Sequence, residues 1–154
     1  MNIAKILDPQ AIKVVGKMTS KKRLFQDLGE IAASAYGLSE NGTVDALQAR
    51  ESLGPTGVGH GIALPHARIE GLERVVGAFM RLESPMDFDA VDRQPVDLVF
   101  ALFAPAESGV DHLKALALVS RTMRDNDICA KLRANNDPAT LHAILTEGPA
   151  IKAA

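Results

Sequence analysis

The chain has 154 residues, 17 Lys+Arg against 19 Asp+Glu, a net charge of −2 with neutral histidines, and 47 % apolar residues. That length suits one domain with a real core, and the composition excludes a disordered, collagen-like or coiled-coil chain. Near-neutral charge gives the molecule no overall drive toward phosphate backbones or anionic lipid, so no nucleic-acid partner is expected.

The first residues, Met1-Asn2-Ile3-Ala4-Lys5, lack the charged, apolar and small-residue blocks of a secretory signal. Ile12-Lys13-Val14-Val15 predicts a short strand. From a cap at Thr19 or Ser20, Leu24, Leu28, Ile31, Ala32 and Ala35 recur at helical spacing until Gly37, a natural left-handed stop. The Lys21-Lys22-Arg23 run opens this helix against its dipole, and solvation of all three charges is the expected remedy. A second helix is expected from a Thr43 cap through Val44, Leu47 and Arg50 to about Leu53, with Gly54 beyond it. Gly57 to Pro65 reads as a glycine-punctuated loop feeding a short strand, with His66 just past its end.

Val75 to Leu82 alternates as a strand does. The run from Val96 to Phe103 is apolar except for Asp97, the pattern of a strand covered on both faces. Even extended to Pro105, this longest apolar stretch is far shorter than the roughly 20 residues a membrane helix needs, so a membrane-embedded chain is not expected. Ser108-Gly109-Val110-Asp111 has capping-box spacing and opens a helix with His112 in its first turn and Leu113, Leu116, Ala117 and Ser120 beyond. Further helices are expected at 126–134 and 138–146, the latter capped by Asp137 with Pro138 at its first position. Cys129 is the single cysteine; it reads as a small buried residue in a helix, and with no disulfide framework the expected setting is reducing and cytoplasmic. Residues 148–154 are expected to fray. Helices before, between and after three or four strands make the fold class α/β, a single-domain sandwich.

Arg50 to Ala67 gathers glycines, a threonine, an arginine and two histidines into a short stretch. Gly57-x-Gly59-x-Gly61 lacks the Gly-Lys-Ser/Thr ending of a nucleotide loop and leads into apolar residues, not a helix, so nucleotide binding is disfavoured. The glycines could instead bring backbone amides to an anion while leaving room for a partner's surface. His66 follows Pro65, whose fixed backbone narrows the options at the strand end. A neutral imidazole there can accept a phosphoryl group, given cations and hydroxyls around the incoming oxygens. Arg50 and Thr56 are suitable types nearby. Two other readings stay open from the residues alone: a structural His66 with Arg50 in a surface ion pair, or a metal held by His60, His66 and His112, although no familiar ligand spacing supports the metal.

Arg50-Glu51, Thr56-Gly57-Val58-Gly59, Gly61-Ile62-Ala63-Leu64-Pro65-His66, Pro95 to Leu102, and His112-Leu113-x-x-Leu116 together resemble enzyme IIA of the mannitol/fructose class of the phosphoenolpyruvate-dependent phosphotransferase system, in particular its nitrogen-regulatory branch. The resemblance runs over residues 5–148 and leaves 149–154 as a short tail. It implies a mixed parallel/antiparallel sheet flanked by helices on both faces, and phosphorylation of His66 at Nε2 by an HPr-like carrier. It further implies His112 as the second active-site histidine, Arg50 and Thr56 as site residues, and no cofactor or metal. Two departures from the family pattern are Pro55, where serine is common, and His60, which could add a titratable neighbour to the site. His142 matches nothing catalytic and is expected at the surface; Asp97 is expected to be structural or interfacial, since a carboxylate beside a phosphate would repel it.

Two functions are weighed on this basis. One is a regulatory module whose phosphorylation state sets its affinity for target proteins, favoured by a chain without a fused IIB or membrane domain. The other is a sugar-specific carrier that hands the group to a IIB domain. Val58, Ile69, Leu72 and Met86 are candidates for a docking surface, with core packing the expected role of at least half of them.

Overall fold

The computed structural model describes residues 1–107 and 109–147. A four-residue helix, α1 (Ile3–Ile6), leads into β1 (Leu7–Lys17), longer at both ends than the strand expected from Ile12 to Val15. Helix α2 (Lys21–Tyr36) begins at Ser20, whose side chain accepts from the Arg23 amide, and ends at Gly37 with φ +69°. Helix α3 (Glu40–Leu53) starts earlier than expected: Ser39 is its cap and accepts from the Gly42 amide. Thr43 is therefore inside the helix and buried, since Ser39 already supplies the cap one turn before it.

Three short strands follow, β2 (Gly57–Gly59), β3 (Ile62–Ala63) and β4 (His66–Ile69), then the long β5 (Val76–Met86) and β6 (Val96–Pro105). His66 thus opens a strand of its own. The chain closes with α4 (Val110–Met123), α5 (Asn126–Arg133) and α6 (Pro138–Glu147), as the sequence leads one to expect; Asp125 caps α5, and the Asp137 side chain accepts from the Thr140 amide in α6. Helix α4 has Gly109 at its N-cap and no side-chain cap bond, while the expected cap at Ser108 and the fraying end lie outside the described residues.

The sheet order is β1-β5-β6-β3-β2, and β4 also pairs with β6. β1 runs parallel to β5, β5 antiparallel to β6, and both β3 and β4 parallel to β6. One edge of β6 is therefore shared end to end, with Ile62 and Ala63 on Leu98 and Val99, and His66 to Ile69 on Leu102 to Pro105. Between them the Pro65 carbonyl accepts from the Leu102 amide at 2.9 Å. Successive residues of β5 and β6 are buried, as only a sheet covered on both faces allows. Phe79, Phe100 and Phe103 are fully excluded from water there. Asp97 is the polar exception within β6: Arg133 grips it bidentately, at 2.8 and 2.9 Å, which satisfies the carboxylate at the start of that strand.

Candidate active site

The Leu64-Pro65-His66 step sets the imidazole. The Leu64 carbonyl lies 2.9 Å from His66 Nδ1, and a carbonyl only accepts, so Nδ1 carries the proton. Nε2 is left with its lone pair, and the Arg50 Nε–H donates to it at 3.3 Å. Arg50 comes from the last turn of α3 and is braced there, because its Nη1 donates to the Gly54 carbonyl at 3.0 Å. His112, in the first turn of α4, stands edge-on to the His66 ring, with centroids 5.7 Å apart and planes at 74°. His112 is 7 % exposed and its Nε2 has no hydrogen-bond partner. Burial, then the neighbouring His66, then Arg68 hold the His112 imidazole below the ordinary value of 6.5. The pair thus presents one lone pair fixed toward a guanidinium and one buried, uncharged ring beside it.

Thr56 is near this site in the chain, but its hydroxyl is committed. It donates to Glu51 Oε1 at 2.6 Å, and the Thr56 amide also donates to the same carboxylate. Glu51, the neighbour of Arg50 in the sequence motif, is the centre of this corner. Lys21 reaches the buried Glu51 carboxylate at 2.9 Å, pairs with Asp89 at 3.4 Å and lies over the Phe88 ring. The expectation that the Lys21-Lys22-Arg23 charges are all solvated fails for Lys21, because a buried carboxylate requires a cation. No periodicity marks such a pair, which lies 30 residues apart in sequence.

The glycines serve packing. A Cβ on Gly57 would stand 2.8 Å from the Ala90 Cβ, and one on Gly61 would stand 2.6 Å from Arg133 Nη2. That close approach, rather than an amide cradle for an anion, is what their small size permits. His60 sits in the β2–β3 turn at φ +58°; its amide donates to Asp92 and its carbonyl accepts from Arg133. Its ring makes no hydrogen bond or ring contact with His66 or His112. Among the described residues no group of three or more His, Cys, Asp and Glu is placed to hold a metal ion.

His142 is not at the surface as expected but half-buried, with Nε2 at 2.9 Å from the Leu7 carbonyl, which ties α6 to β1. Met86 belongs to the core, and Ile69 and Leu72 pack against it, which leaves Val58 as the exposed member of that set. Cys129 is buried in α5 as expected.

Fold and site together define a small α/β protein that offers an oriented imidazole lone pair between a guanidinium and a second, neutral histidine. The family model "Phosphoenolpyruvate-dependent sugar phosphotransferase system, EIIA 2" matches residues 5–148. A nitrogen regulatory protein of Bradyrhizobium diazoefficiens is 45 % identical over 153 residues, covering 99 % of this chain and 100 % of the relative. A fructose-specific EIIA component of the phosphotransferase system from Haloferax volcanii is 32 % identical, over 95 % of this chain and 96 % of its own length. The crystal structure of the nitrogen regulatory protein IIA-Ntr from Neisseria meningitidis superposes with a TM-score of 0.86 at 36 % identity, covering 94 % of this chain and 99 % of that one. The chain belongs to the EIIA type 2 family of the phosphoenolpyruvate-dependent phosphotransferase system, in its nitrogen-regulatory branch. It is accordingly a phosphotransferase that acts as a phosphoryl carrier with a regulatory role. No helix among the described residues is long and apolar enough to cross a membrane.

Proposed function

We propose that His66 takes a phosphoryl group at Nε2 from the phosphohistidine of an HPr-like carrier in the cytoplasm, and that the protein binds target proteins according to that state. The observation that carries this is the pair of contacts on one ring: the Leu64 carbonyl fixes the proton on Nδ1, and Arg50 marks where Nε2 points. The Nε2 electron pair forms the new P–N bond as the carrier's P–N bond breaks and its electron pair returns to the carrier's ring. The proton stays on Nδ1, donated to the Leu64 carbonyl, throughout. Arg50 then meets the phosphoryl oxygens with a planar set of donors, and His112 supplies a neighbouring ring nitrogen, so the transfer rests on positioning and charge. Thr56 contributes through the corner it builds with Glu51.

The exposed Leu53, one turn beyond Arg50, and Leu113, beside His112, give the rim an apolar character that a carrier or a target can cover. NMR of the ring nitrogens after phosphorylation by phosphoenolpyruvate, enzyme I and the carrier tests the assignment. Modification at Nε2 with Nδ1 still protonated is the expected result, and modification at Nδ1 overturns it. A sugar-specific carrier function would show instead as rapid transfer from His66 to a IIB domain with no partner that distinguishes the two forms.

A further inference from the structure

We propose that Arg68 is a second cation of the phosphoryl site, reaching the phosphoryl oxygens from β4 itself while Arg50 reaches them from α3. The inference rests on the reading of His66 as the acceptor. Side chains alternate along a strand, so residues 66 and 68 share a face, with Cα atoms about 6.6 Å apart. The burial along β4 shows that alternation: Ala67 is buried, His66 is half-buried and Arg68 is exposed. In register, His66 stands beside Leu102 and Arg68 beside Ala104, so Arg68 lies next to the end of β6 from which the chain turns toward α4.

There its Nη1 donates to the Ala106 carbonyl at 3.4 Å, which seats the guanidinium by the segment that leads to the first turn of α4 and to His112. The Arg68 charge also bears on the His112 imidazole, helping to keep it unprotonated, so the two side chains are within electrostatic reach. A phosphoryl group on His66 Nε2 would enter the space between these rings and bring roughly −1.5 to −2 charges with it. Arg50 and Arg68 together would match that charge, and the exposure of Arg68 leaves it accessible to a phosphoryl group still on the carrier. Arg68 makes and breaks no covalent bond; it stabilises charge on the oxygens during transfer.

The test compares Arg68→Gln and Arg68→Lys with the wild-type chain, using the phosphorylated HPr-like carrier as donor. The glutamine variant should take up the group about tenfold more slowly, the effect of one lost charged donor, and lysine should restore most of the rate. In the unphosphorylated protein, the His112 imidazole should titrate higher in Arg68→Gln than in Arg68→Lys, which reports the Arg68 charge near His112. A rate restored by lysine and not by glutamine separates a role of the charge in transfer from a merely structural one. A glutamine variant phosphorylated at the wild-type rate overturns the inference while leaving His66 as acceptor. A wild-type chain modified elsewhere than His66 overturns both.

Discussion

At the scale of single residues the site is an arrangement of protons. Leu64 decides the His66 tautomer, Arg50 faces the remaining lone pair, and burial keeps His112 uncharged. Removing either neighbour should slow transfer without unfolding the chain: Arg50→Ala and His112→Ala each lose a group worth about 1.5–3 kcal/mol to a charged partner, about ten- to a hundredfold in rate. Rapid-quench kinetics with the phosphorylated carrier measures this. His112 also has a pH signature. Its proton binds more readily in the unfolded chain, so the stability linked to its neutral form is complete above about pH 6.5 and declines as pH falls through that value. Urea midpoints should therefore drop more between pH 7.5 and 5.5 in the wild type than in His112→Gln. Phosphorylation of His66 should reverse the shift, since a nearby anion favours the imidazolium, and an NMR titration would show His112 moving up.

At the scale of elements, the sequence predicts what repeats or caps locally and misses what pairs across distance. The spacing of Leu24, Leu28 and Ile31 and the stop at Gly37 place α2, and the apolar run after Val96 places β6. Thr43 misleads because Ser39, an equally good cap, stands one turn earlier. The strand status of His66 depends on β6 supplying a partner edge, which no local pattern reveals. Likewise the residues His66, Arg50 and His112 are legible as types, whereas their meeting requires α3, β4 and α4 to converge. The Lys21–Glu51–Thr56 corner is invisible for the same reason, and it makes a prediction. Glu51→Gln keeps the shape but weakens the bonds to Lys21 and to the Thr56 hydroxyl, so it should destabilise by about 1–3 kcal/mol. Because the corner continues into the Gly54 carbonyl that braces Arg50, transfer should slow as well. Thermal unfolding and the transfer rate, measured on the same variant, check both halves.

At the scale of the whole molecule, a sheet buried on both faces serves as a rigid floor, and the proposed phosphoryl site lies at one rim where β4 joins β6 beside the ends of two helices. A phosphoryl group there changes the charge of a rim whose exposed neighbours include Leu53 and Leu113. A target that covers this rim through apolar contacts should bind the phosphorylated form at least tenfold more weakly, about 1.4 kcal/mol, whereas a target with an arginine cluster should prefer it. Titration calorimetry of both forms against partners recovered by pull-down distinguishes the two, and equal affinities for every partner would remove the switch from the account.

All of this depends on one atom accepting the phosphoryl group. The most direct measurement is intact-mass and peptide mass spectrometry after incubation of the wild-type chain and His66→Ala with phosphoenolpyruvate, enzyme I and an HPr-like carrier. One acid-labile phosphoryl group on His66 in the wild type, and none in the variant, is the predicted result; a variant modified at the wild-type rate would contradict it.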